Sequence, residues 1–275
     1  MSGSNPRIRE ARTPSKLRLG GMALRNGLLV HGPTHWAAAV RTRDGEIAVA
    51  SGRKPVIGGP AGRVPGLRGV LKLAEAVAVI PIVKRELPQA ELPMQDTRTL
   101  ATMGAAALGG QAIRGRGART VAREAAVALL SLVPAATALR GGDLAAYHGV
   151  EHKAIAGYEE GEDAAAADKE HDRCGSHLVA PMLTAATLGN VAARRAGLRG
   201  PAADAAVGLG SAAVAVEVFA WSERHPDTAM AKLLRRPGHE IQRLFGTREP
   251  TAEQLQVGRA ALAEILRVEA CGEGK

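Results

Sequence analysis

Apolar positions along this chain fall into two kinds of run. Between residues 18 and 58 they are short and broken by glycines and turn residues. The stretches HWAAAVRT and EIAVASGR flank Arg43-Asp44-Gly45, and Asp-Gly between two β-prone runs predicts a hairpin. GLLVHG, with Gly20, Gly21, Gly27 and Gly32 around it, adds a further strand, so a small antiparallel sheet is expected here. His31 and His35 fall in this region and read as polar surface positions. Beyond it the pattern turns helical. Gly66–Val83 reads as a helix interrupted by Pro81, and a link rich in proline and charge follows. Then come four runs without a formal charge: Thr99–Ile113, Ala125–Leu139, Leu178–Ala193 and Ala205–Val216. Residues 228–235 and 251–268 alternate as amphipathic helices, with Pro237-Gly238 marking a turn between them. Thr251 and Gln254 after Pro250 form a capping-box start.

The fold class that results is mainly α with a small N-terminal antiparallel β-sheet. Four segments follow: a disordered basic tail over 1–17, the sheet over 18–58, a helical domain with a C-terminal helical cap over 59–268, and a short tail over 269–275.

None of the four uncharged runs reaches the ~20 residues of an ordinary membrane span. Fifteen helical residues cover about 22 Å, against a hydrocarbon core of roughly 30 Å. Glycines such as Gly104, Gly109, Gly208 and Gly210 allow close helix packing in lipid, but buried helices of a soluble bundle have the same pattern. Arg114, Arg116, Arg119 and Arg123 form one basic connection, and Arg194, Arg195 and Arg199 another. Two runs separate them, so the positive-inside rule would place both in the cytoplasm. The basic C-terminal part would then lie outside, which that rule disfavours.

Composition narrows the function classes. Hydrophobic residues make up 46% of the chain but aromatics only 2%, so alanine, valine and leucine must form the core. Lysine and arginine outnumber aspartate and glutamate by 36 to 27, a formal charge of +9. The excess is dispersed, and stacking aromatics are scarce, which argues against nucleic-acid binding. An anionic-lipid-facing or solvated surface fits better. The two cysteines, Cys174 and Cys271, are far apart and make no disulfide framework. A reducing compartment follows, with Cys174 free to act as a ligand. Residues 1–18 contain no apolar stretch of the kind a signal peptide needs.

The candidate chemistry lies in residues 147–177, which hold four of the eight histidines. His148 and His152 stand four apart, on one face of a helix. With Glu151 they spell H-x-x-E-H, the order in which two imidazoles hold zinc and the glutamate serves as base. An acidic, alanine-rich spacer leads to His171-Asp172-Arg173-Cys174-Gly175-Ser176-His177. His148, His152 and Cys174 are the expected ligands of zinc or another divalent transition metal, with His171 as the additional one. Three protein ligands plus water would make the site catalytic, and four would close it. Lys153 and Arg173 are candidates for binding an anion. His239 and Glu240 would need tertiary folding to reach the site.

Several separated stretches resemble the YqhQ-like family of bacterial proteins, predicted metal-dependent enzymes of unknown function that are usually membrane proteins. The resemblance rests on Tyr147-His148-Gly149-Val150-Glu151-His152-Lys153 with Tyr158-Glu159, and on His171-x-Arg173-Cys174-Gly175-Ser176. Gly20-Gly21, Val40-Arg41, Asp44-Gly45-Glu46-Ile47 and Leu67-Arg68-Gly69-Val70 add to it. So do Pro237-Gly238, Gln242, Thr247-Arg248-Glu249-Pro250 and Gln254-Leu255. The chain departs from the family pattern at Met22 and Asn26, where glutamine and glutamate are usual. It departs again at Asp172, usually proline, and at His177, usually small and polar. The resemblance implies a bacterial cell-membrane location, with the cytoplasm as the alternative. Two function classes remain: a hydrolase-like metal enzyme with Glu151 as catalytic base, or a non-enzymatic membrane or assembly protein with a structural His/Cys zinc site.

Overall fold

The computed structural model describes residues 16–59, 64, 66–115, 120–140 and 142–272. Four strands, β1 (Gly20–Leu24), β2 (Gly27–His31), β3 (His35–Arg41) and β4 (Ile47–Arg53), form an antiparallel meander in sequence order. The Asp44-Gly45 hairpin forms as expected. Gly45 takes φ 86°, and the Thr42 N–H donates to the Glu46 carbonyl at 2.9 Å.

Strand alternation gives the sheet two apolar faces. Ala23, Leu28, Val30, Ala37 and Ala39 face one core, shared with α5 (Asp143–Glu160) and α9 (Ala252–Gly272). Leu24, Leu29, Trp36, Ala38 and Val40 face the other, against Val79 and Val83 of α1 (Arg68–Glu86). A sheet covered on both sides loses its amphipathic alternation, because every position is apolar. Glu269 of α9 is buried and fastens this helix to the β2–β3 turn. It accepts from the backbone N–H of Thr34 at 2.8 Å and of His35 at 2.7 Å.

The remaining helices build a layer beside this core: α2 (Thr97–Gly115), α3 (Val121–Leu130), α4 (Val133–Leu139), α6 (Val179–Arg195) and α7 (Pro201–Arg224). α2 packs on α3 and α4, α3 on α6, and α6 on α7. Then α8 (Ala229–Ile241) and a single π-helical turn, Gln242–Gly246, lead back to α9. The capping box at the start of α9 is present: the Thr251 N–H donates to Gln254 Oε1 at 3.0 Å, and the Gln254 N–H to Thr251 Oγ1 at 3.2 Å.

Several sequence expectations are corrected. α1 runs through Pro81, which lies on its exposed side, so the lost backbone bond falls away from the core. Pro237-Gly238 is not a turn but part of α8, with Gly238 packed against His177. His31 and His35 are half-buried rather than surface groups. Two of the uncharged runs, Thr99–Ile113 and Ala205–Val216, are the middles of longer helices, α2 and α7; Leu178–Ala193 nearly coincides with α6, and Ala125–Leu139 is divided between α3 and α4. Lys16 and Leu17 are fastened to Glu159 and Tyr158, and residues 269–272 continue α9; the rest of both tails lies outside the described residues. Arg116 and Arg119 also lie outside them.

Candidate metal centre

α5 carries the H-x-x-E-H segment, and its inner face is buried from Leu144 to Gly157. Helical spacing stacks the two imidazoles, whose ring centroids are 4.4 Å apart. Each imidazole is oriented by a backbone carbonyl. His148 Nδ1 donates to the Gly246 carbonyl at 2.7 Å, and His152 Nδ1 to the Lys169 carbonyl at 2.6 Å. A proton fixed on Nδ1 leaves Nε2 of both rings with a free lone pair, the tautomer a metal ligand requires.

Cys174 enters from the loop that ends in the 3-10 turn Gly175–Leu178. Its sulfur lies 3.3 Å from His148 Nε2 and accepts from the Ser176 N–H at 3.4 Å. The donor atoms of His148, His152 and Cys174 all lie within 4.8 Å of one another, so this group could hold a metal ion. His152 is 1% exposed, and its Nε2 has no hydrogen-bond partner. A buried imidazole nitrogen without a partner costs free energy unless something occupies the space before it. The donor set fits a borderline-soft divalent ion, since two neutral imidazoles and a thiol suit zinc better than magnesium or calcium.

Electrostatics point the same way. Burial holds the His152 imidazole down at about 2, helped by the charge of His148. Burial raises the Cys174 thiol and raises the Glu151 carboxyl to about 7; proximity to His148 opposes the second shift. Burial thus disfavours the charged forms of His152, Cys174 and Glu151, and a bound cation would reverse the last two shifts. Glu151 lies beside the three donors but does not join them. Gly21 of β1 packs on its carboxyl: a Cβ there would stand 2.8 Å from Glu151 Cδ, so only glycine allows this approach.

His171 also stays outside the group. Its ring lies 5.7 Å from that of His152, its Nδ1 accepts from the Arg173 N–H at 3.2 Å, and its Nε2 is 3.5 Å from Glu159. The other candidates are likewise engaged. Lys153 is buried, donating to the Ala167 carbonyl at 2.7 Å and pairing with Glu249 at 2.8 Å. Arg173 pairs with Glu159. Asp172 bridges to His239 at 3.0 Å and to Arg235 at 3.1 Å. His177, buried under Gly238, contacts the Arg235 carbonyl at 3.0 Å. The two departures at Asp172 and His177 therefore meet at the same part of α8. Those at Met22 and Asn26 lie away from the site: Met22 packs against the α1-side core, and Asn26 donates to the carbonyls of Arg41 and Gln89.

The sequence did not reveal what holds the Cys174 loop. Gln242, fully buried in the π-helical turn, accepts from the His171 N–H at 2.8 Å and donates to the His171 carbonyl at 3.1 Å and Ser176 Oγ at 2.8 Å. The same turn supplies the Gly246 carbonyl that orients His148. π-helical turns recur at functional sites because the extra residue redirects backbone groups. Gln242 belonged to the resembling stretches, but no local signal shows a π-helical turn or a carbonyl's aim. Next to the loop lies a cleft of about 500 Å³, lined by Glu159, Glu160, Glu162, Asp168, Glu170 and His171 among others.

Residues 142–268 match the model of a protein family of unknown function, DUF1385. The matched stretch contains the three donor residues, Glu151, His171 and Gln242, and fits an uncharacterised family. No curated protein and no solved structure matches the chain.

Proposed function

We propose that this protein is a membrane-associated, metal-dependent enzyme of hydrolytic type, with zinc held by His148, His152 and Cys174. The observation that carries the reading is the bare, buried Nε2 of His152, set among two further soft donors. Three protein ligands with His171 outside leave a coordination position open, the arrangement of catalytic rather than structural zinc. An ion held there supplies Lewis-acid polarisation of a carbonyl or phosphoryl oxygen and acidifies a water. Glu151, whose carboxyl is raised to about 7 at its place beside the donors, would accept and return the proton at its carboxylate oxygen. The Gly246 and Lys169 carbonyls hold the imidazoles in the required tautomer throughout.

Membrane association is supported by two segments, Val121–Leu139 and Pro201–Arg224, that are long and apolar enough to cross a bilayer. Only 6% and 11% of their apolar windows are buried within the protein. A core helix of a soluble protein would be mostly covered.

Metal analysis of two variants tests the enzymatic part. Glu151→Gln should retain the metal while abolishing turnover, and His148→Ala should lose the metal. Loss of metal from Glu151→Gln would make the glutamate a ligand. A fourth protein ligand in the coordination sphere would favour the structural, non-enzymatic reading.

A further inference from the structure

The helix layer consists of two hairpins of the same construction. α2 and α3 are joined by one connection, α6 and α7 by another. Each hairpin is closed at its outer end by an arginine–carboxylate pair ten residues apart. Arg114 Nη2 meets Glu124 Oε2 at 2.9 Å, and Arg194 Nη2 meets Asp204 Oδ1 at 2.9 Å. The Glu124 side chain is fully buried, whereas Arg195, Leu198 and Arg199 at the second tip are exposed. At the opposite ends, all four arms return to the sheet domain. Asp96, before α2, lies 3.5 Å from Arg25 of the β1–β2 turn. α4 runs into α5, α6 begins at the Cys174 loop, and Glu223 near the end of α7 pairs with Arg18 at 2.7 Å.

Charges therefore cluster at two levels separated by the uncharged runs. Leu100, Leu108, Leu129, Leu188 and Leu209 lie exposed between them. Within the α7 arm, Glu217 is the one charge between Asp204 and Glu223, and it accepts from the Gly66 N–H at 3.1 Å. Charge-free runs of 12 to 16 residues, about 18–24 Å long and bordered by arginines that extend toward headgroups, match a bilayer core that thins around them. α2 and α6 are less apolar than their partners but are held at the same depth by hairpin packing.

We infer that both hairpins traverse the bilayer as four arms, placing the arginine-bearing tips in the headgroup layer opposite the face that carries the sheet and the metal centre. The inference rests on the membrane part of the proposed function. The chain itself provides the probe. Cys271, at the end of α9, is exposed on the sheet domain, and Cys174 is buried. Arg199→Cys adds a thiol at the second tip; Leu198→Cys serves if that variant does not accumulate. The full-length variant, reconstituted in sealed phosphatidylcholine–phosphatidylglycerol vesicles and washed with alkali, is treated with a membrane-impermeant maleimide and weighed intact. One label on every chain is expected, whichever way the protein inserted. Zero or two labels on chains that survive the wash would place tip and domain on the same side, overturning the topology alone. Chains released by the wash would refute the membrane reading, and the inference with it.

Discussion

The sheet domain and the helix layer are made of much the same residues and bury them in opposite ways. In the sheet domain Leu24, Leu28, Leu29, Val30, Trp36 and Val40 are at most 1% exposed. In the layer Leu108, Leu129 and Leu209 are 70%, 62% and 63% exposed. Burying apolar surface contributes about 25 cal/mol per Å², so the first region is stabilised by its own packing. The second gains comparably only if an apolar medium surrounds it. Hydropathy reports composition; burial within the fold tells which medium the composition is meant for.

The sharpest contrast comes from truncating one side chain in each region. Trp36→Ala should cost about 3–5 kcal/mol, because it empties a filled core. Leu108→Ala should stay within about 0.5 kcal/mol in detergent. Denaturant melts of both variants decide the matter, and similar losses would erase the distinction between the regions.

A pH series separates the sheet domain further. Burial, with Lys54 nearby, holds His31 at about 4 against an ordinary 6.5. Between those values the unfolded chain binds a proton that the folded chain does not, so stability falls as pH falls from 6.5 towards 4. The loss is at most about 3 kcal/mol. Urea melts at neutral and mildly acid pH should show a smaller drop for His31→Gln than for the parent. An equal drop would mean that other groups cause it.

At the junction of the two regions, Gln242→Ala should weaken metal binding by about 10-fold to 100-fold, the usual effect of removing a group that orients ligands. Competition with a chromophoric chelator measures this, and unchanged affinity would leave Gln242 as core packing only. The smallest effect is expected for Thr251→Ala, which removes one arm of the α9 capping box and should cost about 1 kcal/mol. A melt indistinguishable from the parent's would show that the packing of α9 on the sheet makes the cap redundant.

Local chemistry was the legible part of the sequence. Asp44-Gly45 announced its hairpin and Thr251/Gln254 its cap, because both signals act within a few residues. The i, i+4 spacing placed His148 and His152 on one face for the same reason. Proline was misleading twice: at Pro81 and Pro237 tertiary packing continues a helix that local preference would end. His171 lies near Cys174 along the chain, but nearness in sequence says nothing about direction; its Nε2 is 3.5 Å from Glu159. The clasp of Gln242 and the aim of the Gly246 carbonyl depend on contacts spanning up to 98 residues, beyond any local pattern.

In the proposed centre two imidazoles and one thiolate share a divalent ion. X-ray absorption at the metal edge of the purified protein tests this most directly. About one zinc per chain is expected, with two nitrogen scatterers near 2.0–2.1 Å and one sulfur near 2.3 Å; the sulfur should vanish in Cys174→Ser. Metal-free protein that takes up no zinc, or a bound metal whose spectrum is the same in Cys174→Ser, would contradict it.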